Sequence, residues 1–505
     1  MRSVLVCPGC GAPVKPPPVQ HFARAYTYDC PVCHMQTPRP LLKRIFDFFT
    51  AHAHGHHVRG EGGQNVTLSN MDFPRIWQYA GTDTNGSPWL SGGAFNMSIM
   101  NGFAKFHLAV FGNVPWSNIG WPASQQACSL IKSLNPRIKI LMYDPWEWKF
   151  PHFADGNYSD TQYGDFWHLL NGPPDIRIYR VDGAHYPSSE DPGINAQKYW
   201  WDMGQPGAAT AAANIWKTHC TPMISQGLVD GYFLDSMLGV GGPAYPDPAA
   251  ADYTRAPLNY ANLAALEAAV LSGTVDTLTQ LKATGGLVFV NRGGSGIPDA
   301  RTVVITGEMC EGWDLGRGSA GDPRPPGFGQ FSSYDDAMTK LGSMWRGPTP
   351  TGDGTLLIKS EVDAGNSPTI TPNSWSKNLR YGLGSACILG GLQTMWIADH
   401  DPAPINWVAD EYSVLPNGVM DPTCKHMGWL GRPLDYGYKD SGGCWVRYFQ
   451  NGVVAVNGNV NATSINLGKP YRRLTGTVWP TINNGTVEQT ATLAQKDGRF
   501  WVNYP

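Results

Sequence analysis

The chain has 505 residues, 15% of them charged, with a formal net charge of −3. That length predicts two or three domains rather than one small core, and the charge balance offers no polycationic face for a nucleic-acid backbone. No run of about 18 apolar residues occurs, so no membrane span is expected. MRSVLVCPGC lacks the apolar stretch and small-residue cleavage site of a secretory signal. The expectation is a chain made in the cytoplasm that reaches any extracellular target by another route. Gly 59 and Pro 41 predict many turns. Trp 19 supplies flat rings that pack in a core or meet the apolar faces of sugars.

Residues 1–50 open with CPGC (Cys7, Cys10) and CPVC (Cys30, Cys33). Each knuckle presents two thiolates from one turn, and two knuckles complete a tetrahedral four-cysteine shell, the pattern of a zinc ribbon. The expected Zn2+ is structural, because a closed shell has no open position for chemistry. The competing reading, a pair of disulfides, is disfavoured by cytoplasmic synthesis. A small module of this kind predicts a protein partner to dock on. Residues 51–71 include AHAHGHHVRGEGGQN and read as a connector.

From residue 72 to 410, eight short apolar runs recur: FPRIWQYAG, KFHLAVFGN, RIKILMYDPW, DGYFLDS, GGLVFVNRGG, TVVITGEMCEGW, TLLIKSEVD and GGLQTMWIAD. Helical patterns separate several of them, including SQQACSLIKSLN and LNYANLAALEAAVLSGTVDTLTQLKA. This α/β pattern predicts a (β/α)8 TIM-type barrel. An open doubly wound sheet is the alternative, but no glycine-rich dinucleotide loop follows the first strand. Residues 150–228 and 312–354 read as loops that shape a cleft. The strand endings carry Tyr79, Asn113, Asp144, Asp235, Asn291 and Arg292, Glu308 with Glu311, Lys359 with Glu361, and Asp399. Barrel enzymes build their sites on such endings. A lone acidic ending is usually a helix N-cap, whereas several on one rim suggest a site.

DGYFLDS, followed two strands later by TGEMCEGW, resembles the barrel of a group of glycoside hydrolases whose fourth strand carries D-G-x-x-x-D opposite a sixth-strand acid. The tail, with GCWVRYFQNGVVAVNG, TSINLGKPYRRLTGTVW and DGRFWVNY, resembles the small antiparallel β-sandwich that follows such barrels, here over 411–505. The resemblance covers residues 72–505 and leaves the zinc ribbon unexplained. It implies cleavage of a polysaccharide by two carboxyl groups, one protonating the leaving oxygen and one attacking or activating water. Asp235 is the expected nucleophile or base and Glu308 the expected general acid. Glu311, in the loop beside Trp313, is the rival to Glu308. Asp230, at the start of its strand, points to the far end of the barrel as a structural residue. Asp144, Asn291, Arg292 and Lys359 would bind hydroxyls or an acidic sugar, and Trp146, Trp313 and Trp396 would stack on sugar faces or pack under loops.

Two rival classes remain. The barrel could be a non-catalytic glycan-binding or structural protein, mounted by its ribbon on a larger assembly. A bacteriophage tail or baseplate is the setting that a glycan-acting chain without a signal suggests, in either class. A nucleic-acid-binding ribbon with a nuclease barrel is disfavoured by the charge balance. Of the remaining cysteines, Cys128, Cys220, Cys310 and Cys387 read as core thiols, and Cys424 and Cys444 as a possible pair.

Overall fold

The computed structural model describes residues 27–29, 36–38, 68, 71–80, 90–91, 94–111, 121–145, 202–235, 260–291, 300–310, 331, 333–346, 355–362, 372–397, 401–402 and 409–504. Near the N-terminus, β1 (Thr27–Asp29) and β2 (Gln36–Pro38) pair antiparallel, Asp29 opposite Gln36. The four zinc-ribbon cysteines themselves lie outside the described residues.

All eight apolar runs contain strands of one parallel sheet: β3 (Trp77–Ala80), β4 (Leu108–Phe111), β5 (Lys139–Pro145), β6 (Gly231–Asp235), β7 (Leu287–Asn291), β8 (Gly307–Cys310), β9 (Thr355–Val362) and β10 (Leu392–Ile397). They are hydrogen-bonded in sequence order, and a bridge between Ile76 and Gln393 brings the last strand against the first. The result is an eight-stranded, nearly closed barrel. Parallel strands covered on both faces need apolar residues on both, which is why LAVF in β4 is buried at every position. Where backbones crowd, glycine is required: a Cβ at Gly231 would lie 2.0 Å from the carbonyl oxygen of Leu287.

Alternation sorts each strand into two layers. Trp77, Leu108, Val110, Leu141, Phe233, Phe289, Met309, Leu357 and Leu392 form the barrel interior. Phe111, Ile140, Met142, Leu234, Val290, Cys310 and Ile358 pack outward in the large cluster that includes the helices. Those helices are α1 (Met97–Phe103), α2 (Trp121–Leu134), α3 (Ala208–Ser225), α4 (Leu263–Lys282), α5 (Tyr334–Arg346) and α6 (Pro372–Leu389). Only α2 and α4 were legible as helical patterns; α3 and α5 fall within the two stretches read as loops. None of the described helices is long and apolar enough to cross a membrane. Leu68 and Met71, from the expected connector, are each 1% exposed and belong to the barrel interior.

The tail forms β11 (Tyr438–Lys439), β12 (Trp445–Tyr448), β13 (Gly452–Asn457), β14 (Thr463–Arg473), β15 (Val487–Leu493) and β16 (Asp497–Asn503). These make one six-stranded antiparallel sheet in the order β11-β12-β13-β16-β14-β15, where the sequence suggested a sandwich. β14 pairs with β16 only over Tyr471–Arg473, and its register with β15 shifts between Asn466 and Tyr471. The β14–β15 end then packs over its own sheet, with Ile465, Leu467, Ala491 and Leu493 clustered with Val446, Val453, Ala455 and Trp501. One curled sheet thereby encloses a core that two sheets would otherwise supply.

The sheet's other face is continuous with the barrel. α6 packs on β13 and β16, and Arg380 pairs with Asp497 at 2.9 Å, each 4% exposed. Phe73, Ile76, Leu379, Leu383, Tyr412, Leu430, Val454 and Phe500 form one cluster across the expected boundary near residue 411. Cys424 and Cys444 are both free thiols, as are the other described cysteines, so the expected pair does not form.

Candidate active site

Asp235 is the last residue of β6, on the interior face set by Phe233, and is partly exposed. Its two neighbouring strands each supply a donor. The Tyr143 hydroxyl, from β5, donates to Oδ2 at 2.5 Å, and Nδ2 of Asn291, the last residue of β7, donates to Oδ1 at 2.7 Å. An ionised carboxylate is acceptor-only, so this arrangement suits the charged form. The Tyr143 ring stacks on Phe233 with centroids 5.8 Å apart and planes 17° apart, and Trp77 stacks on Phe233 at 6.5 Å. An aromatic floor from three strands therefore backs the carboxylate and fixes the phenol that holds it. The opening of this group is at the carboxyl ends of the strands, where barrel sites are built.

Asp230, at the other end of the same strand, is structural as expected. Its carboxylate meets Nζ of Lys132 at 2.5 Å and of Lys139 at 3.1 Å, and accepts from the Ile140 amide at 2.8 Å. The strand thus carries a tethered carboxylate at one end and a partly exposed one at the other.

The structure does not bring Glu308 to Asp235. TVVI, which reads as the body of a strand, is instead a turn: the amides of Val304 and Ile305 both bond to the carbonyl of Arg301, and Val303 is 56% exposed. The strand begins at Gly307, so Glu308 is its second residue and not its last. Two-residue alternation gives Glu308 the face of Cys310, in the outer layer, while Met309 lies in the barrel interior with Phe233. Glu308 is 0% exposed. Its strand is also separated from β6 by β7.

Lys359 is 4% exposed, on the β9 face that Leu357 places inside the barrel. Asn291, expected to bind hydroxyls, serves Asp235 directly. Tyr143 is the residue that sequence reading missed; the alternation of KILMYDP, with Leu141 inside, was the available signal. For Asp144 and Trp396 only the backbone is described, paired with Leu234 and with Glu361 and Pro402. Trp146, Arg292, Glu311 and Trp313 lie outside the described residues. Among the described residues no cluster of His, Cys, Asp and Glu fits a metal ion. Cys310 is buried in the outer layer, away from the interior face.

No protein-family model matches the chain, and no curated protein matches it. Among solved structures it is similar to Eubacterium rectale Amy13B, at 9% identity over 87% of this chain and 97% of that one, with a TM-score of 0.48. It is also similar to an α-amylase from Geobacillus thermoleovorans complexed with acarbose, at 10% identity over 87% and 99%, TM-score 0.42. A third is a variant of the GH36 α-galactosidase AgaA from Geobacillus stearothermophilus, at 9% identity and TM-score 0.41, of which the chain spans 55% while 86% of it is covered. These neighbours are glycoside hydrolases; the barrel itself is established by the strand register.

Proposed function

We propose that the chain is a glycoside hydrolase acting on a surface or extracellular polysaccharide, with Asp235 as nucleophile or base. The observation that carries this reading is the carboxylate at the carboxyl end of β6, held on one oxygen by Tyr143 and on the other by Asn291. A strand end with two fixed donors positions a carboxylate within the narrow limits that attack on an anomeric carbon requires. The phenol and amide keep it oriented as charge moves.

Hydrolysis also needs a proton donor for the leaving oxygen. Glu308 takes the outer face, and we assign the role to Glu311, which in sequence stands two residues beyond the interior residue Met309. The acid protonates the glycosidic oxygen as the bond to the anomeric carbon breaks. Asp235 either bonds to that carbon or takes a proton from the attacking water. Lys359, Asp144 and Arg292 would bind substituents of the sugar, and Trp146, Trp313 and Trp396 its apolar faces. The proposal includes a structural Zn2+ on Cys7, Cys10, Cys30 and Cys33. The ribbon would dock on a protein partner in a larger assembly such as a phage tail, which would carry the barrel outside the cell.

The test is reducing-end release from amylose, β-galactan, polygalacturonate and bacterial capsular polysaccharides. On whichever polymer the wild type cleaves, Asp235→Asn and Glu311→Gln should each lower kcat by about 10²–10⁴-fold, and Glu308→Gln should stay within a few-fold. Full activity of Asp235→Asn would overturn the assignment.

A further inference from the structure

The hydrogen-bonded register sorts the barrel interior into layers, and one of them lies directly beneath Asp235. With the shear of a TIM-type barrel, positions at one height move on by one residue per strand, and alternate strands supply each interior layer. Tyr79 registers with Val110 and Val110 with Leu141, so Tyr143 shares the height of Tyr79 two strands on. By the same step Tyr143 leads through Phe233 and Phe289 to Asn291, and Asn291 through Met309 and Leu357 to Lys359. Lys359 leads through Thr394 and, by the bridge of Ile76 to Gln393, through Trp77 back to Tyr79. The circuit closes on its starting residue. Tyr79, Tyr143, Asn291 and Lys359 therefore occupy the interior positions of one layer, with Val110, Phe233, Met309 and Thr394 in the layer below.

On β6 the same height falls at Leu234, which puts Asp235 one residue, roughly 3.3 Å, above the layer. Two members of the layer, Tyr143 and Asn291, donate to its two oxygens. A third is a cation: Lys359 is 4% exposed, above an almost wholly apolar layer. An ammonium in such surroundings is costly without an anion nearby. Among the described side chains at this end of the interior, the ionisable groups are Tyr143 on β5, Asp235 on β6 and Lys359 on β9. β4, β7, β8 and β10 present Val110, Asn291, Met309 and Thr394. For Tyr79 on β3, and for Glu361 two residues beyond Lys359 on β9, only the backbone is described.

We infer that Lys359 is a positioning residue whose ammonium completes the floor under Asp235 and keeps that carboxylate ionised in acidic solution. This part is separate from contact with sugar substituents, and its consequence for catalysis rests on the hydrolase reading above. Tyr143 and Asn291 orient the two oxygens but carry no charge as donors. Lys359 supplies the charge, and an opposite charge favours the ionised form of a carboxyl group. In the barrel interior that attraction is screened far less than between groups in water, so it acts without direct contact. A base or nucleophile must be ionised to react, so Lys359 extends activity towards lower pH.

The experiment reads Asp235 itself, in the full chain as wild type, Lys359→Met and Lys359→Arg. Each is treated with a water-soluble carbodiimide and an amine from about pH 3 to about pH 7, which spans the usual carboxylate range. Carbodiimide activates the protonated carboxyl, so labelling of Asp235, mapped by peptide mass spectrometry, falls through the midpoint of its ionisation. Lys359→Met should raise that midpoint by about one pH unit, and Lys359→Arg should keep it. On a polymer that the wild type cleaves, the acid limb of kcat/KM should move by the same amount in Lys359→Met. Equal midpoints in wild type and Lys359→Met overturn the inference, as does an equal rise in Lys359→Arg, which would make packing and not charge the cause. Lys359→Gln replaces the methionine variant if thermal unfolding shows that variant to be unfolded. Labelling needs no substrate, so failure of the hydrolase reading shows separately, as the absence of cleavage by the wild type.

Discussion

Substituting Glu411 by Gln should remove a pH dependence of stability that this one side chain imposes. Glu411 is 0% exposed at the junction of barrel and sheet. Its neighbour Asp410 accepts four groups there: the amides of Thr477, Val478 and Trp479 at 3.0, 3.0 and 2.9 Å, and Nδ2 of Asn483 at 3.1 Å. Glu411 accepts only Nδ2 of Asn483, at 2.9 Å, and its Oε2 meets no hydrogen-bond partner among the described residues. Burial is the main cause that pushes its carboxyl up from 4.5 to about 7; the charge of Arg380 opposes this and that of Asp410 adds to it. The fold thus holds the proton to higher pH than the unfolded chain does. The contribution is full below pH 4.5, is lost as pH rises towards about 7, and is constant above. At about 1.4 kcal/mol per pH unit, the loss across that window is about 3 kcal/mol. Gln is isosteric and does not titrate. Denaturant unfolding of both proteins at pH 4.5, 6 and 7.5 should show the wild type losing about 3 kcal/mol relative to Glu411→Gln. A difference that stays constant within about 0.5 kcal/mol would refute the reasoning and mean that Arg380 balances the charge throughout.

Three further outcomes are expected. Tyr143→Phe keeps the ring against Phe233 but deletes a donor to Asp235, and should cost about 10–100-fold in kcat/KM; unchanged steady-state kinetics would remove Tyr143 from the site. Gly476→Ala would place a Cβ 2.0 Å from Oδ2 of Asp410. It should destabilise the protein by about 2–3 kcal/mol in thermal unfolding, and a variant of wild-type stability would contradict the packing of that turn. The purified chain should contain about one zinc ion by elemental analysis, lost when Cys7 and Cys30 are changed to Ser; zinc content unaltered in that variant would rule out the ribbon.

The strands of the barrel were legible because parallel strands buried on both faces are continuous apolar runs, and a run such as VFV or LAVF is conspicuous among turns. The same logic exposed Asp235, since a carboxylate closing such a run is costly unless it is held for a purpose. It failed at TVVITGE. Three apolar residues in a row form a turn as readily as a strand, and a shift of strand start by an odd number of residues moves every following side chain to the other face. α3 hides in ATAAANIWKTHC because alanine reads as neither face of an amphipathic pattern.

By itself the amino-acid sequence determined which segments are apolar, hence the eight strands, and that β6 ends on the acid Asp235. Only the tertiary structure decided which acid shares a face with which partner. The contact of Tyr143 and Asn291 with Asp235 joins residues 92 and 56 positions apart, and the outward turn of Glu308 depends on where β8 starts. Neither is encoded in local spacing, because register across neighbouring strands is set by packing of the whole barrel.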